Sequence, residues 1–165
     1  MNWFFLTLGY SGMAPKAPGT VGTIVALPLG MLILIYFNAQ TLFLATVLIS
    51  IIAVKEINRY EAISGTHDSK NIVIDELAGM WFALSLAPAI SVSINEVSDF
   101  QNGFLIQSIL SFILFRYFDI AKPSIIGRID RDAKGGIGVM GDDIVAGFTA
   151  GILSAIIWQG ILYFI

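Results

Sequence analysis

Asp75-Glu76 and Asp142-Asp143 are two pairs of adjacent carboxylates set at the entrance to apolar runs, where an acid is costly to bury unless a cation or basic group meets it. Compensating a helix dipole accounts for an acid at such an end but not for a pair, and capping by Asp142 likewise accounts for one acid of two. A fifth carboxylate, Asp119, lies in Arg116-Tyr117-Phe118-Asp119-Ile120-Ala121-Lys122-Pro123. Three-residue steps put Arg116, Asp119 and Lys122 on neighbouring positions of one helix face until Pro123 discourages continuation. Taken alone, that run reads equally well as a simple Arg-Asp ion pair.

Two glycine-rich stretches accompany these acids. Ala17-Pro18-Gly19-Thr20-Val21-Gly22-Thr23 is a turn leading into the first apolar helix, where exposed amides and the hydroxyls of Thr20 and Thr23 suit an anionic phosphate. The same residues also make an ordinary helix start. Lys134-Gly135-Gly136-Ile137-Gly138-Val139-Met140-Gly141 places four glycines ahead of Asp142-Asp143 and reads as a flexible loop that wraps a ligand and delivers two hard oxygen donors. Farther on, Gly147 and Gly151 form a small-xxx-small face suited to close helix packing.

All nine Lys and Arg residues fall at residue 16, in 55–70 or in 116–134, and ten of the twelve carboxylates lie in or beside those stretches. Asp75, Glu76, Asp119, Asp142 and Asp143 therefore gather at one face beside Arg116, Lys122, Arg128 and Lys134. Carboxylates of this kind hold a hard divalent cation such as Mg²⁺, and basic side chains neutralise remaining phosphoryl charge. The mixture suits phosphate chemistry on a substrate presented by a bilayer. Elimination narrows the reaction type. The chain has no cysteine for a thiolate nucleophile, and its single His67 cannot supply a pair of catalytic histidines. It has no Asp-x-Asp-x-Thr/Val run, no Walker motif, and no Asp-Gly-x-x-Ala-Arg signature of CDP-alcohol phosphotransferases. Metal-assisted hydrolysis or attack by a carboxylate remains. His67 itself reads as an interfacial loop residue. A small transporter or channel, with the acids as an ion path, is the alternative of a different class.

The elements that must position these groups are helices in a membrane. The 165 residues are 56% hydrophobic and 13% charged, with a mean hydropathy of +0.82, far more apolar than a soluble domain. An acidic pI of about 4.9 argues against a nucleic-acid partner. No linker or repeat divides the chain, so residues 1–165 read as a single domain. The short apolar stretch Trp3 to Leu8 lacks the flanks of a removable signal peptide.

Five apolar segments can be drawn, at about Val21–Phe37, Leu42–Val54, Leu77–Ile94, Phe104–Phe115 and Ile144–Ile165. The expected fold is an all-α, membrane-embedded bundle of about four to five helices, because lipid leaves backbone groups no partner but the helix itself. If all five segments cross, the turns Asn38–Thr41 and Ser91–Gly103 share a side that carries no Lys or Arg. The positive-inside tendency then puts the charged face and the N-terminus in the cytoplasm.

Read together, Ala14-Pro-Lys-Ala-Pro-Gly-Thr-Val-Gly-Thr23, Ile72-Val-Ile-Asp-Glu-Leu-Ala-Gly79, Phe115-Arg-Tyr-Phe-Asp-Ile-Ala-Lys-Pro123 and Lys134-Gly-Gly-Ile-Gly-Val-Met-Gly-Asp-Asp-Ile-Val-Ala-Gly147 resemble the phosphatidylglycerophosphatase A family over almost the whole chain. The resemblance implies a Mg²⁺-dependent enzyme of the bacterial inner membrane, active on its cytoplasmic face. Its substrate would be phosphatidylglycerophosphate among the membrane lipids, cleaved to phosphatidylglycerol and orthophosphate. It implies catalysis by Asp75, Glu76, Asp119, Asp142 and Asp143, with Glu76, Asp119, Asp142 and Asp143 as metal ligands. Thr20, Thr23, Arg116, Lys122, Arg128 and Lys134 would meet the phosphate. Gly141 stands where a bulkier apolar residue is usual in the family, and Ser124-Ile125-Ile126 where an aromatic-Pro-Ile run is common.

Overall fold

A computed structural model describes residues 2–67, 69–87 and 102–164. A four-residue helix, α1 (Trp3–Leu6), and a 3-10 turn over Ser11–Met13 precede the bundle proper. The bundle consists of α2 (Pro18–Tyr36), α3 (Ala39–Ser64), α4 (Ile74–Leu86), α5 (Phe104–Ala121), α6 (Ile125–Asp132) and α7 (Gly135–Phe164). The architecture is all-α, as expected, with no strand among the described residues. Four helices, α2, α3, α5 and α7, are long and apolar enough to cross a membrane. Their outer faces carry exposed Ile24, Leu48, Ile113 and Ile156, large apolar side chains that lipid accommodates better than water.

Local sequence explains where these helices begin and end. Proline occupies the first turn of α2, where its missing N–H is no loss. The Asn38 side chain caps α3 by accepting from the Thr41 amide at 2.7 Å. The two-residue connection Phe37-Asn38 forces α2 and α3 to lie antiparallel. Helix α5 ends at Ala121, and Lys122 is its C-cap with a left-handed φ of 43°. Pro123 then prevents any further turn.

Helix α4 is the hub, packing on α2, α3, α5 and α7. It starts at the charged end with Asp75 and Glu76 in its first turn, then buries residues on nearly every side, Leu77, Ala78, Met80 and Ala83 among them. Its approach to α7 is set by glycine. A Cβ on Gly147 would fall on the Gly79 carbonyl, and one on Gly79 would lie 2.5 Å from the Phe115 ring and 2.7 Å from the Asp143 carbonyl. Gly79 thus lies against Asp143 and Gly147, while Ala83 meets Gly151 farther along. Both helices therefore run in parallel away from the charged end. The Trp81 indole ties α4 to α2 by donating to the Ala26 carbonyl at 2.9 Å.

Three expectations from the sequence change. The glycines ahead of Asp142 form no flexible loop, because Gly135 to Gly141 are the first turns of α7. A Cβ on Gly136 would strike the Val54 carbonyl, and one on Gly138 would sit 2.6 Å from the Ala133 carbonyl. Close packing against neighbouring backbone thus outweighs the roughly 1 kcal/mol that each helical glycine costs. Next, α3 and α5 extend past the apolar segments Leu42–Val54 and Phe104–Phe115, so Lys55 and Arg59 lie inside α3, and Arg116 lies inside α5 on the helix that its spacing with Asp119 predicts. Finally, the third apolar segment is a 13-residue helix, shorter than the roughly 20 residues of a full span. Its expected continuation to Ile94, and most of the turn Ser91–Gly103, lie outside the described residues.

Candidate active site

The charged ends of α4, α5 and α7 converge on three acids. Glu76 comes from the first turn of α4, Asp119 from the last turn of α5 and Asp143 from near the start of α7. Each offers a carboxylate oxygen, and these oxygens all lie within 4.8 Å of one another. Like charges at that spacing repel by roughly 3 kcal/mol per pair at an effective dielectric constant near 20. The cluster therefore needs positive charge.

Arg116 supplies part of it. Its Nη1 lies 2.5 Å from Glu76 Oε2 and 2.8 Å from Asp119 Oδ2. It also donates to Thr23 Oγ1 at 3.2 Å, while Nη2 donates to Thr20 Oγ1 at 3.3 Å. Thr23 Oγ1 in turn sits 2.8 Å from Glu76 Oε2. The two threonines of the Gly/Thr turn thus hold the guanidinium and the Glu76 carboxylate in place. Gly19, one turn earlier, is the floor beneath Glu76, since any Cβ there would fall on Glu76 Oε1. Among the described carboxylates, Arg116 pairs directly with Glu76 and Asp119. Asp143 is only 4% exposed and has no salt bridge among the described residues. Three clustered carboxylates facing one guanidinium leave an excess of negative charge on hard oxygen donors, which fits a divalent cation.

Asp142 belongs to a different contact. Its Oδ2 accepts from Lys122 Nζ at 2.8 Å, and the same ammonium pairs with Asp130 of α6. Burial works against the Lys122 charge, but the bonds from Asp130 and Asp142 outweigh it and hold the ammonium well above the ordinary lysine range. Asp142 is thus not one of the three clustered acids, although it borders them.

Both groups open into one polar cavity of about 240 Å³. Asp75, Glu76, Asp119, Lys122, Asp142 and Asp143 line it. Asp75 also accepts from the Glu76 amide at 2.9 Å, which stiffens the first turn of α4. Arg128 and Lys134 are exposed and outside the lining. Gly19, His67, Lys70 and Asp130 line the cavity without having been singled out as site residues. The signal for Asp130 was its place seven residues after Pro123 in a charged amphipathic stretch. Gly19 belongs to the Gly/Thr turn, but its role beneath Glu76, 57 positions away (76 − 19), leaves no local signal.

A family model described as Phosphatidylglycerophosphatase A matches residues 4–158. The chain is 36% identical over 165 residues to the phosphatidylglycerophosphatase A of Escherichia coli (strain K12), which covers 99% of this chain and 83% of that protein. It is 32% identical over 150 residues to the phosphatidylglycerophosphatase A of Haemophilus influenzae, covering 90% of this chain and 83% of the relative. No solved structure matches the chain.

Proposed function

The chain belongs to the phosphatidylglycerophosphatase A family, and on that premise we propose that it is a Mg²⁺-dependent phosphoric monoester hydrolase. It removes the terminal phosphate of phosphatidylglycerophosphate to leave phosphatidylglycerol and orthophosphate. The observation that carries this reading is the cluster of Glu76, Asp119 and Asp143 in a polar cavity at the charged end of apolar helices.

In this reading Glu76, Asp119 and Asp143 would hold Mg²⁺, which when bound would supply charge neutralisation for the phosphoryl group and lower the pKa of water. Arg116 fixes the orientation of two of the three acids, and Thr20 and Thr23 fix Arg116. Lys122 presents a permanent positive charge to the oxygens of the phosphoryl group. Asp75 and Asp142 line the same cavity outside the cluster, and in this reading one of them takes the proton of an attacking water. Arg128 and Lys134, exposed on the same face, draw anionic headgroups toward the cavity mouth. The acyl chains stay in the bilayer, so the lipid itself supplies the orientation that a soluble enzyme would build from a deep cleft. The enzyme sits in the bacterial inner membrane with this face toward the cytoplasm.

The test is orthophosphate release by the purified protein from phosphatidylglycerophosphate and phosphatidic acid in parallel, with and without Mg²⁺. Rapid, Mg²⁺-dependent release from the former is expected, silenced by EDTA and restored by added Mg²⁺. Undiminished hydrolysis in EDTA would remove the metal from the reaction, and no hydrolysis of either lipid would remove the activity.

A further inference from the structure

Hydrolysis at this site makes one further demand. A glycerol oxygen departs as a strongly basic alkoxide unless a proton reaches it, and Lys122, committed to Asp130 and Asp142, is poorly suited to give one. The cavity wall contains one side chain of the type that gives and takes protons around neutral pH, His67. It is the only histidine of the chain.

His67 is held in a defined pose. Glu61, in the last turn of α3, places Oε1 2.5 Å from His67 Nδ1. A carboxylate accepts there, so Nδ1 carries a hydrogen and the exchangeable proton resides on Nε2. The turn between the two residues is knitted by Ser64 Oγ, 2.8 Å from Thr66 Oγ1, and by Thr66 Oγ1 donating to the Tyr60 hydroxyl at 3.4 Å. The imidazole side chain is 52% exposed and Glu61 only 17%, so a half-buried acid holds an accessible ring. His67 and the acid cluster line the same cavity of about 240 Å³, so a headgroup seated on the acids shares a cavity with the imidazole.

Resting on the proposed phosphatase reading, we propose that His67 is the catalytic acid that protonates the leaving glycerol oxygen, and that Glu61 is its positioning residue. In the step, the oxygen of water forms a bond to phosphorus while the bond from phosphorus to the glycerol oxygen breaks. The water proton passes to a site carboxylate, and the imidazolium proton of Nε2 passes to the departing oxygen, giving an alcohol and orthophosphate. Proton exchange with solvent restores both groups.

The test replaces one atom of the substrate. Phosphatidylglycerophosphate is compared with its analogue in which sulfur replaces the bridging oxygen of the terminal phosphate, since a thiolate leaves without a proton. His67→Gln is expected to slow the oxygen ester about 100-fold and the sulfur ester less than about 3-fold, and Glu61→Gln to slow only the oxygen ester, by about 10-fold. The retained sulfur-ester rate also reports an intact fold. Independently, the single imidazole resonance of the wild-type protein should move on titration with inorganic phosphate. Equal slowing of both esters, no slowing of either, or an imidazole signal indifferent to phosphate would overturn the assignment. A wild-type protein that cleaves neither ester would instead sink the phosphatase reading on which it rests.

Discussion

Asp142 and Asp143 are adjacent in sequence yet serve different partners, because successive helix positions point about 100° apart. Asp143 turns toward α4 and α5 and joins Glu76 and Asp119, while Asp142 turns toward Lys122 and α6. Asp143→Asn keeps the shape of the side chain and removes a donor charge from the cluster. Turnover should fall at least about 100-fold with little change in thermal unfolding, measured as orthophosphate release and circular dichroism on the same sample. Near-normal turnover would take Asp143 out of the reaction centre. Gly19→Ala tests the same cluster without touching a charge. Its methyl group would displace the Glu76 carboxylate, so activity should drop by at least about 10-fold, in line with loss of a supporting contact. An active Gly19→Ala protein would mean that Glu76 can move without consequence.

The elements contribute through how closely they approach. Helix α4 can deliver Glu76 to Asp143 only because Gly79 and Gly147 let the two backbones touch. Gly147→Val inserts a branched side chain at that contact, and overpacking of this kind costs about 1–3 kcal/mol. The expected result is a lowered unfolding temperature in detergent together with weaker activity, whereas an unchanged melting curve would show that the contact does not hold the bundle together. Helix α6 acts at a different level. It buries Ile126 and Gly127 and sends Asp130 to Lys122, fixing the ammonium over the cavity. Gly141 makes room for it, since a Cβ there would come within 3.1 Å of Ile129.

Across the whole molecule, polarity is distributed lengthwise. The three clustered acids, Lys122 and the exposed Arg128 and Lys134 share one end, while the α2–α3 turn at the other end carries Asn38 and Gln40. Charged side chains line the polar cavity at one end, while the buried polar residues of the described helices farther along, such as Gln107, Ser108, Ser111 and Ser154, are uncharged. The sidedness of this arrangement is measurable, because the chain has no cysteine of its own. A membrane-impermeant thiol reagent should label Arg128→Cys in inverted vesicles and Gln40→Cys in intact cells. The opposite pattern would place the acid cluster outside the cytoplasm.

What the sequence determines by itself is the chemistry and its neighbourhood. Hydropathy alone requires apolar helices, and the confinement of charge to a few stretches requires that the acids and bases meet at one end of them. Asp75-Glu76, Arg116, Asp119, Lys122 and Asp142-Asp143 could therefore be found by residue type and spacing. Sequence could not decide which acids share a ligand, because that depends on the rotation of α4, α5 and α7 about their axes. Those rotations are fixed by contacts such as Gly79 on Gly147 and Trp81 on Ala26, between residues 68 and 55 positions apart (147 − 79 and 81 − 26). For the same reason the glycines before Asp142 suggested a loop. Glycine's local preference for turns is visible in a sequence, whereas the neighbouring backbone that requires its missing side chain exists only in the folded bundle.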